Sequence, residues 1–334
     1  MKQNAVKRLH EDAGVMTLGL IALAAFLLVG AVATLMGRDA TTDEPEMPFS
    51  TNGDVGANPA DVILPNAPRR TGFLPAIVRE SSGIARGQRD QRVWWTHNDG
   101  NEARVFGVLA DGTLLGTWRL TGVEVEDVED IAAAPCPDQA DSPCLYLADT
   151  GDNRQNRDDY RIVIVREPTL PAGREPADGV LETVAVVRYS YGGPSFDAEA
   201  LSVLPDGDML VITKGQSGAA EIFRLPARSG SGSDARSASI TAESLGELPV
   251  DVDRKANRIT AAAISPSGRR IAVRSDRDLT IFELPGLAEI ARCVFEDAGE
   301  QGEAVDFEDE TTLMLTFEAA GDGRAPMVRV TCGA

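Results

Sequence analysis

The sequence predicts an all-β chain, a β-propeller of five or six four-stranded blades preceded by one transmembrane helix. Three observations carry that expectation. A short motif recurs five times after residue 71. Each copy is followed by several β-rich runs separated by turn formers, while helical periodicity is nearly absent. Near the N-terminus stands a 22-residue run, Val15–Met36, without a charge.

The repeat comes first, because it sets the frame for everything else. Its copies are Glu80-Ser-Ser-Gly-Ile84, Asp127-Val-Glu-Asp-Ile131, Asp197-Ala-Glu-Ala-Leu201, Thr260-Ala-Ala-Ala-Ile264 and Gln301-Gly-Glu-Ala-Val305. Each has a polar residue, a spacer, a Glu or small residue, a second spacer and an aliphatic. The aliphatics are 47, 70, 63 and 41 residues apart. A second run follows each copy: VWWTHND (93–99), LYLADTGD (145–152), MLVITKG (209–215), RIAVRSD (270–276) and LMLTFE (313–318). Turn sequences such as Leu204-Pro-Asp-Gly207 and Ser265-Pro-Ser-Gly268 separate the runs. A third strand is legible in all five units and a fourth in most. Four antiparallel strands per unit, repeated in series, is propeller organisation. The fifth unit lacks its own outer strand, and the stretch around Phe73–Val78 is expected to supply it. A β-sandwich is the alternative architecture.

Val15–Met36 is long enough, at ~1.5 Å per residue, to cross the ~30 Å hydrocarbon core. Lys2, Lys7 and Arg8 precede it, and Asp39, Asp43, Glu44 and Glu46 follow. That asymmetry predicts residues 1–14 in the cytoplasm and everything after the helix outside, as a single-pass cell-membrane protein. A cleaved signal peptide, with Ala31-Val32-Ala33 as its processing site, is the rival. The apolar run continues past that site through Met36, which favours the anchor. Residues 37–70, with five prolines and six acids, read as a flexible linker. The propeller domain is expected over 71–334.

The net charge is −20, from 52 acidic and 32 basic residues. Such a balance excludes nucleic acid as a partner, since phosphate binding needs a basic face. It suits cation binding or plain solubility. The two histidines, His10 and His97, rule out a three-histidine zinc site in the folded part. No GxSxG elbow, phosphate loop or HExxH is present. The four cysteines all follow the membrane run. Cys136 and Cys144 bracket a polar loop and are expected to staple it, leaving Cys293 with Cys332 by elimination. Four free buried thiols are the other possibility.

In a blade, the start of the innermost strand and the end of the second share one face. That brings Asp127, Glu129, Asp197, Glu199 and Glu303 to one mouth of the channel, with Asp149 and Asp152 from second-strand ends. Crowded carboxylates need a proton or a cation. Calcium, with its loose shell of oxygen ligands, is the expected ion. The other reading has these acids hydrogen-bonding neighbouring backbone amides. Asp149-Thr-Gly-Asp152-Asn153 is either a short calcium loop or an Asx-rich turn. Lys214, in a chain whose basic residues are nearly all Arg, either binds an anionic substrate or balances the acids. His97 beside Asp99 is either a general base or a hydrogen-bonded strand-end histidine. His97, Asp99 and Lys214 are the candidate catalytic residues.

The combination ESSGIA, WWTHNDG, EDIA, LYLADTGDNRQNR, YRIVIVREP, DAEAL, TKG and QGEAV resembles a family of secreted or membrane-anchored bacterial β-propellers without an assigned reaction. It is more distantly similar to phytase-like and gluconolactonase-like propellers, over about residues 75–332. Those relatives imply a metal, often calcium, near the central channel. Ala261-Ala262-Ala263 and Ser82 depart from a fully acidic ring.

Two functions follow as expectations. One is an anchored binding module with a cation at the channel, recognising a cell-surface ligand, a protein partner or a small molecule. The other is a metal-dependent hydrolase of phosphoesterase or lactonase type working at the channel mouth, which needs an open coordination position and an acid–base group. A transmembrane sensor is disfavoured by an inner tail of only about fourteen residues.

Overall fold

The computed structural model describes residues 68–171, 173, 175–227, 239–295, 301–321 and 323–332. Val15–Met36 and nearly all of the expected linker lie outside the described residues. No helix among the described residues is long and apolar enough to cross a membrane.

The described chain is all-β apart from a 3-10 turn at Lys255–Asn257. Its strands fall into antiparallel four-strand groups. The first holds β2 (Ser81–Arg86), β3 (Val93–Asn98), β4 (Arg104–Leu109) and β5 (Leu114–Thr121). The second holds β6 (Val128–Cys136), β7 (Gln139–Asp149), β8 (Tyr160–Arg166) and β9 (Ala177–Ser190). These two groups are fused at the rim, where β5 and the early part of β9 pair in parallel. The third holds β10 (Ala198–Val203), β11 (Met209–Thr213), β12 (Glu221–Leu225) and β14 (Glu243–Glu247), while the two-residue β13 (Ile240–Thr241) crosses to pair with β9. The fourth runs β15 (Ile259–Ile264), β16 (Arg270–Ser275), β17 (Asp278–Glu283), β18 (Ala288–Val294). The last is β19 (Gly302–Phe307), β20 (Thr312–Phe317), β21 (Pro326–Thr331) and, outermost, β1 (Arg69–Phe73).

The first strands of successive groups pack on one another in the order β2, β6, β10, β15, β19 and back to β2. A ring closed on itself with radiating antiparallel sheets is a β-propeller, and it leaves few exposed edges to protect. Each group is apolar on both faces, because each packs between two neighbours. Ala85 and Trp95 face the second group, whereas Ile84 and Trp94 face the last. Closure comes from β1, which pairs with β21 through Phe73↔Pro326 and Arg69↔Arg329. The N-terminal donation is as expected, but the donor strand starts at Arg69, two residues before the expected domain boundary, and stops at Phe73 instead of running to Val78. Gly112, at φ 82°, makes the closure possible: a Cβ there would stand 1.8 Å from the Phe73 carbonyl oxygen.

Both expected disulfides are formed. Cys136–Cys144 staples the hairpin between β6 and β7. Cys293–Cys332 ties β18 to the end of β21, and so locks the closing group to its neighbour.

A bulge recurs in every innermost strand. Between Ser81 and Gly83, Val128 and Asp130, Ala198 and Ala200, Ile259 and Ala261, and within Gly302–Val305, the register with the second strand slips by one residue. The extra residues are Ser82, Glu129, Glu199, Thr260 and, in the last group, Glu303 or Ala304. A bulge leaves its residue unpaired and re-aims its side chain. The fourth copy of the motif is therefore out of register by two residues as read from the sequence. Thr260, not Ala262, stands where the other groups carry Glu or Ser, and Arg258, not Thr260, stands at the first motif position.

Candidate metal centre at one channel mouth

The second strands return alongside the motif. The Asp99 N–H donates to the Glu80 carbonyl at 2.7 Å, Lys214 N–H to Asp197 at 2.8 Å and Glu318 N–H to Gln301 at 3.0 Å. Asp99, Lys214, Asp276 and Glu318 thus stand just beyond the second-strand ends of four groups, beside the bulged acids.

Two carboxylate groups form there. Asp99, Asp127 and Glu129 bring oxygens within 4.8 Å of one another, and so do Glu129, Asp197 and Glu199. Glu129 belongs to both. It is 4% exposed, and among the described residues its carboxylate accepts no hydrogen bond and makes no ion pair. At an effective dielectric near 20, two unit charges ~5 Å apart repel by roughly 3 kcal/mol. Three ionised carboxylates in such a group therefore require a compensating positive charge or a proton. Burial holds the Glu129 carboxyl well above its ordinary range, with the Glu199, Asp99 and Asp127 charges adding to the effect. Burial, then Asp99 and Asp197, push Asp127 up to about 6. Burial raises Asp99 as well.

Gly151 lets these groups converge. A Cβ on it would meet Glu129 Oε1 at 2.2 Å and Asp127 Oδ2 at 2.4 Å. The glycine in the Asp149-Thr-Gly-Asp152 loop thus clears room for carboxylates from β6 and its approach.

Lys214 stands against the second group. Its Nζ lies 2.5 Å from Glu199 Oε1 and 3.6 Å from Asp197 Oδ2. Burial works against the ammonium, but Glu199 and Asp197 outweigh it and hold the lysine above its ordinary value. Burial raises the Glu199 carboxyl, and Lys214 offsets part of that. Asp197 is further occupied by the Asp152 N–H and the Gln216 amide, both at 2.6 Å.

The remaining residues singled out in the sequence sit elsewhere. Glu303 shares the bulge position, but its carboxylate accepts the Gln301 amide. Burial pushes it up to about 7. Asp149 is fully buried and faces Arg157 at 3.1 Å and the N–H groups of Glu126 and Asp127. Asp152 caps its own loop by accepting from Asn156, Arg157 and the Tyr160 hydroxyl. These two acids set the shape of the 124–127 and 149–157 loops and lie outside the two carboxylate groups. His97 is sealed inside the first group. Its Nδ1 contacts the Asn98 carbonyl oxygen at 2.9 Å, and burial pulls it down to about 4, with the Asn98 bond opposing. Its other nitrogen has no hydrogen-bond partner among the described residues, and the space beside it is kept by Gly83, where a Cβ would lie 2.8 Å away.

Two further acids matter and were not singled out. Asp130, fully buried, accepts the N–H of Ile131 and of Leu201 on the neighbouring group, each at 2.8 Å. Asp306 accepts Arg86 N–H across the closing seam at 2.6 Å and Phe307 N–H at 2.7 Å. Asp130 and Asp306 thus hold the backbone-amide role that the alternative to a metal site gives the motif glutamates. The signal was a lone Asp inside each apolar run, Glu-Asp-Ile and Val-Asp-Phe.

No protein-family model and no curated protein matches this sequence. Among solved structures, the chain is similar to the PQQ-bound form of an aldose sugar dehydrogenase from Streptomyces coelicolor. The identity is 13%, the TM-score 0.47, and the match covers 79% of this chain and 96% of that one.

Proposed function

We propose that this chain is a membrane-anchored, extracytoplasmic five-bladed propeller that holds a divalent cation at one channel mouth and binds a ligand there. One observation carries the reading: two carboxylate groups meet at Glu129, and one of them ends on the exposed Asp99. Calcium fits an all-oxygen set with loose geometry better than zinc, which favours nitrogen and sulfur. A cation there has coordination positions facing solvent, open to a ligand bearing anionic oxygens. Anchoring by Val15–Met36, with 37–67 as tether, is supported by the positive charges before that run and by two disulfides, which belong to oxidising compartments.

A metal-dependent hydrolase is the second reading, favoured by Asp99, an exposed carboxylate with a raised pKa beside the cation seat. It ranks lower because the one histidine of the folded part is sealed away from the mouth. Two experiments test the proposal. Melts of the chelator-stripped protein should respond to calcium more than to magnesium or zinc; no response to any of them removes the cation. A periplasm-specific reporter fused after Ala334 should be active; a cytoplasm-specific one being active instead removes the topology.

A further inference from the structure

The two carboxylate groups at the mouth are not equivalent. Both use Glu129, yet only one has a positive charge of its own. The Lys214 ammonium sits at 2.5 Å and 3.6 Å from the Glu199 and Asp197 carboxylates. Asp197 also receives the Asp152 N–H and the Gln216 amide, so its lone pairs are already directed at donors. All three acids of that group are buried. The Asp99–Asp127–Glu129 group has no ion-pair partner among the described residues, and Asp99 opens it to solvent. Its shared member, Glu129, is 4% exposed, and among the described residues its carboxylate accepts no hydrogen bond, the Lys214 ammonium standing on the side of the other group.

We infer that the mouth holds a single divalent cation, seated by Asp99, Asp127 and Glu129, and that Lys214 is a tethered cation filling the adjacent Glu129–Asp197–Glu199 seat. The inference rests on the cation reading of the mouth proposed above. A lysine suits the role better than an arginine: the ammonium is a compact point charge of roughly ionic size, whereas the planar guanidinium needs a forked partner. Lys214 leaves the mouth with one vacancy in place of two and keeps Glu129 from facing two divalent ions at once. It also fixes the ligand side of the ion, because the tethered charge closes the inward neighbour and leaves only the Asp99 side open.

The experiment is a calorimetric titration of the chelator-stripped full chain in detergent with calcium chloride. The wild type should bind one calcium per chain. Lys214→Met should bind two, with a larger calcium-dependent rise in melting temperature and a lower melting temperature in chelator. Lys214→Arg, which keeps the charge and guards against a folding defect in the first variant, should bind one. Lys214→Met binding one calcium with unchanged affinity overturns the tethered-cation role while leaving the cation reading standing. Wild type binding two calcium ions overturns it as well. No saturable binding by any of the three proteins overturns both.

Discussion

The Asp130 carboxylate accepts the Leu201 N–H at 2.8 Å, joining the free inner edge of the second propeller group to that of the third. Its other oxygen accepts the Ile131 N–H. Inner strands of a propeller have no partner on the channel side, so their amides need acceptors from elsewhere. Removing the acceptor leaves two buried N–H groups, each costing about 1–3 kcal/mol. Asp130→Ala should therefore lose about 2–5 kcal/mol in urea unfolding, and Asp130→Asn, which keeps one acceptor, distinctly less. Equal losses in the two variants would contradict the account of Asp130 as an acceptor for neighbouring strands.

Protons and cations should compete at the mouth. Asp127 rises from 3.8 to about 6 and Glu303 from 4.5 to about 7, in both cases chiefly through burial. The folded protein then binds more protons than the unfolded chain between those values, so stability falls as pH rises through the window. In chelator, the melting temperature should decline from about pH 4 to about pH 7. Calcium should flatten the decline, and its affinity should increase over the same range. A calcium affinity independent of pH between 5 and 8 would speak against carboxylate ligands.

Gly151 links the loop to the site. A methyl group there would overlap Glu129 Oε1 and Asp127 Oδ2, the mobile ends of two side chains and not backbone. Gly151→Ala should therefore fold, with a melting temperature in chelator within a few degrees of wild type. Its calcium affinity should fall at least tenfold. Unchanged affinity would mean that the ion sits away from these two oxygens.

The two disulfides should contribute unequally. By loop-entropy reasoning, a bridge across 39 residues stabilises by about 4 kcal/mol and one across 8 by about 2.5 kcal/mol. Cys293→Ser/Cys332→Ser should lower stability more than Cys136→Ser/Cys144→Ser, because it also frees the closing group. Urea unfolding of the paired variants checks the order.

Most of the scaffold was legible from residue patterns. The five motif copies mark the five innermost strands, and the runs after them match the second, third and fourth strands. Turn residues and apolar alternation are local signals, which is why they survive without tertiary information. The register error in the fourth group has a plain cause: Ala261-Ala262-Ala263 has no alternation to fix which residue is the extra one of a bulge. The start of β1 was missed because Arg69-Arg70 reads as polar linker; it becomes a strand only by pairing with β21. At the site, Glu129, Glu199 and Asp197 came from the repeat itself, and Lys214 from the run that follows its third copy. The separate duties of Asp149, Asp152 and His97 depend on where Arg157, Tyr160 and Gly83 lie in space, and strand position alone does not encode that.

The most direct test of the central claim is a calorimetric titration of wild type and Glu129→Gln with calcium, both stripped with chelator. Glu129 is common to both carboxylate groups, and among the described residues its carboxylate accepts no hydrogen bond. The account predicts saturable binding by wild type and loss of that binding in Glu129→Gln, with the variant still folded by circular dichroism. Equal binding by the two proteins, or none by wild type, would contradict it.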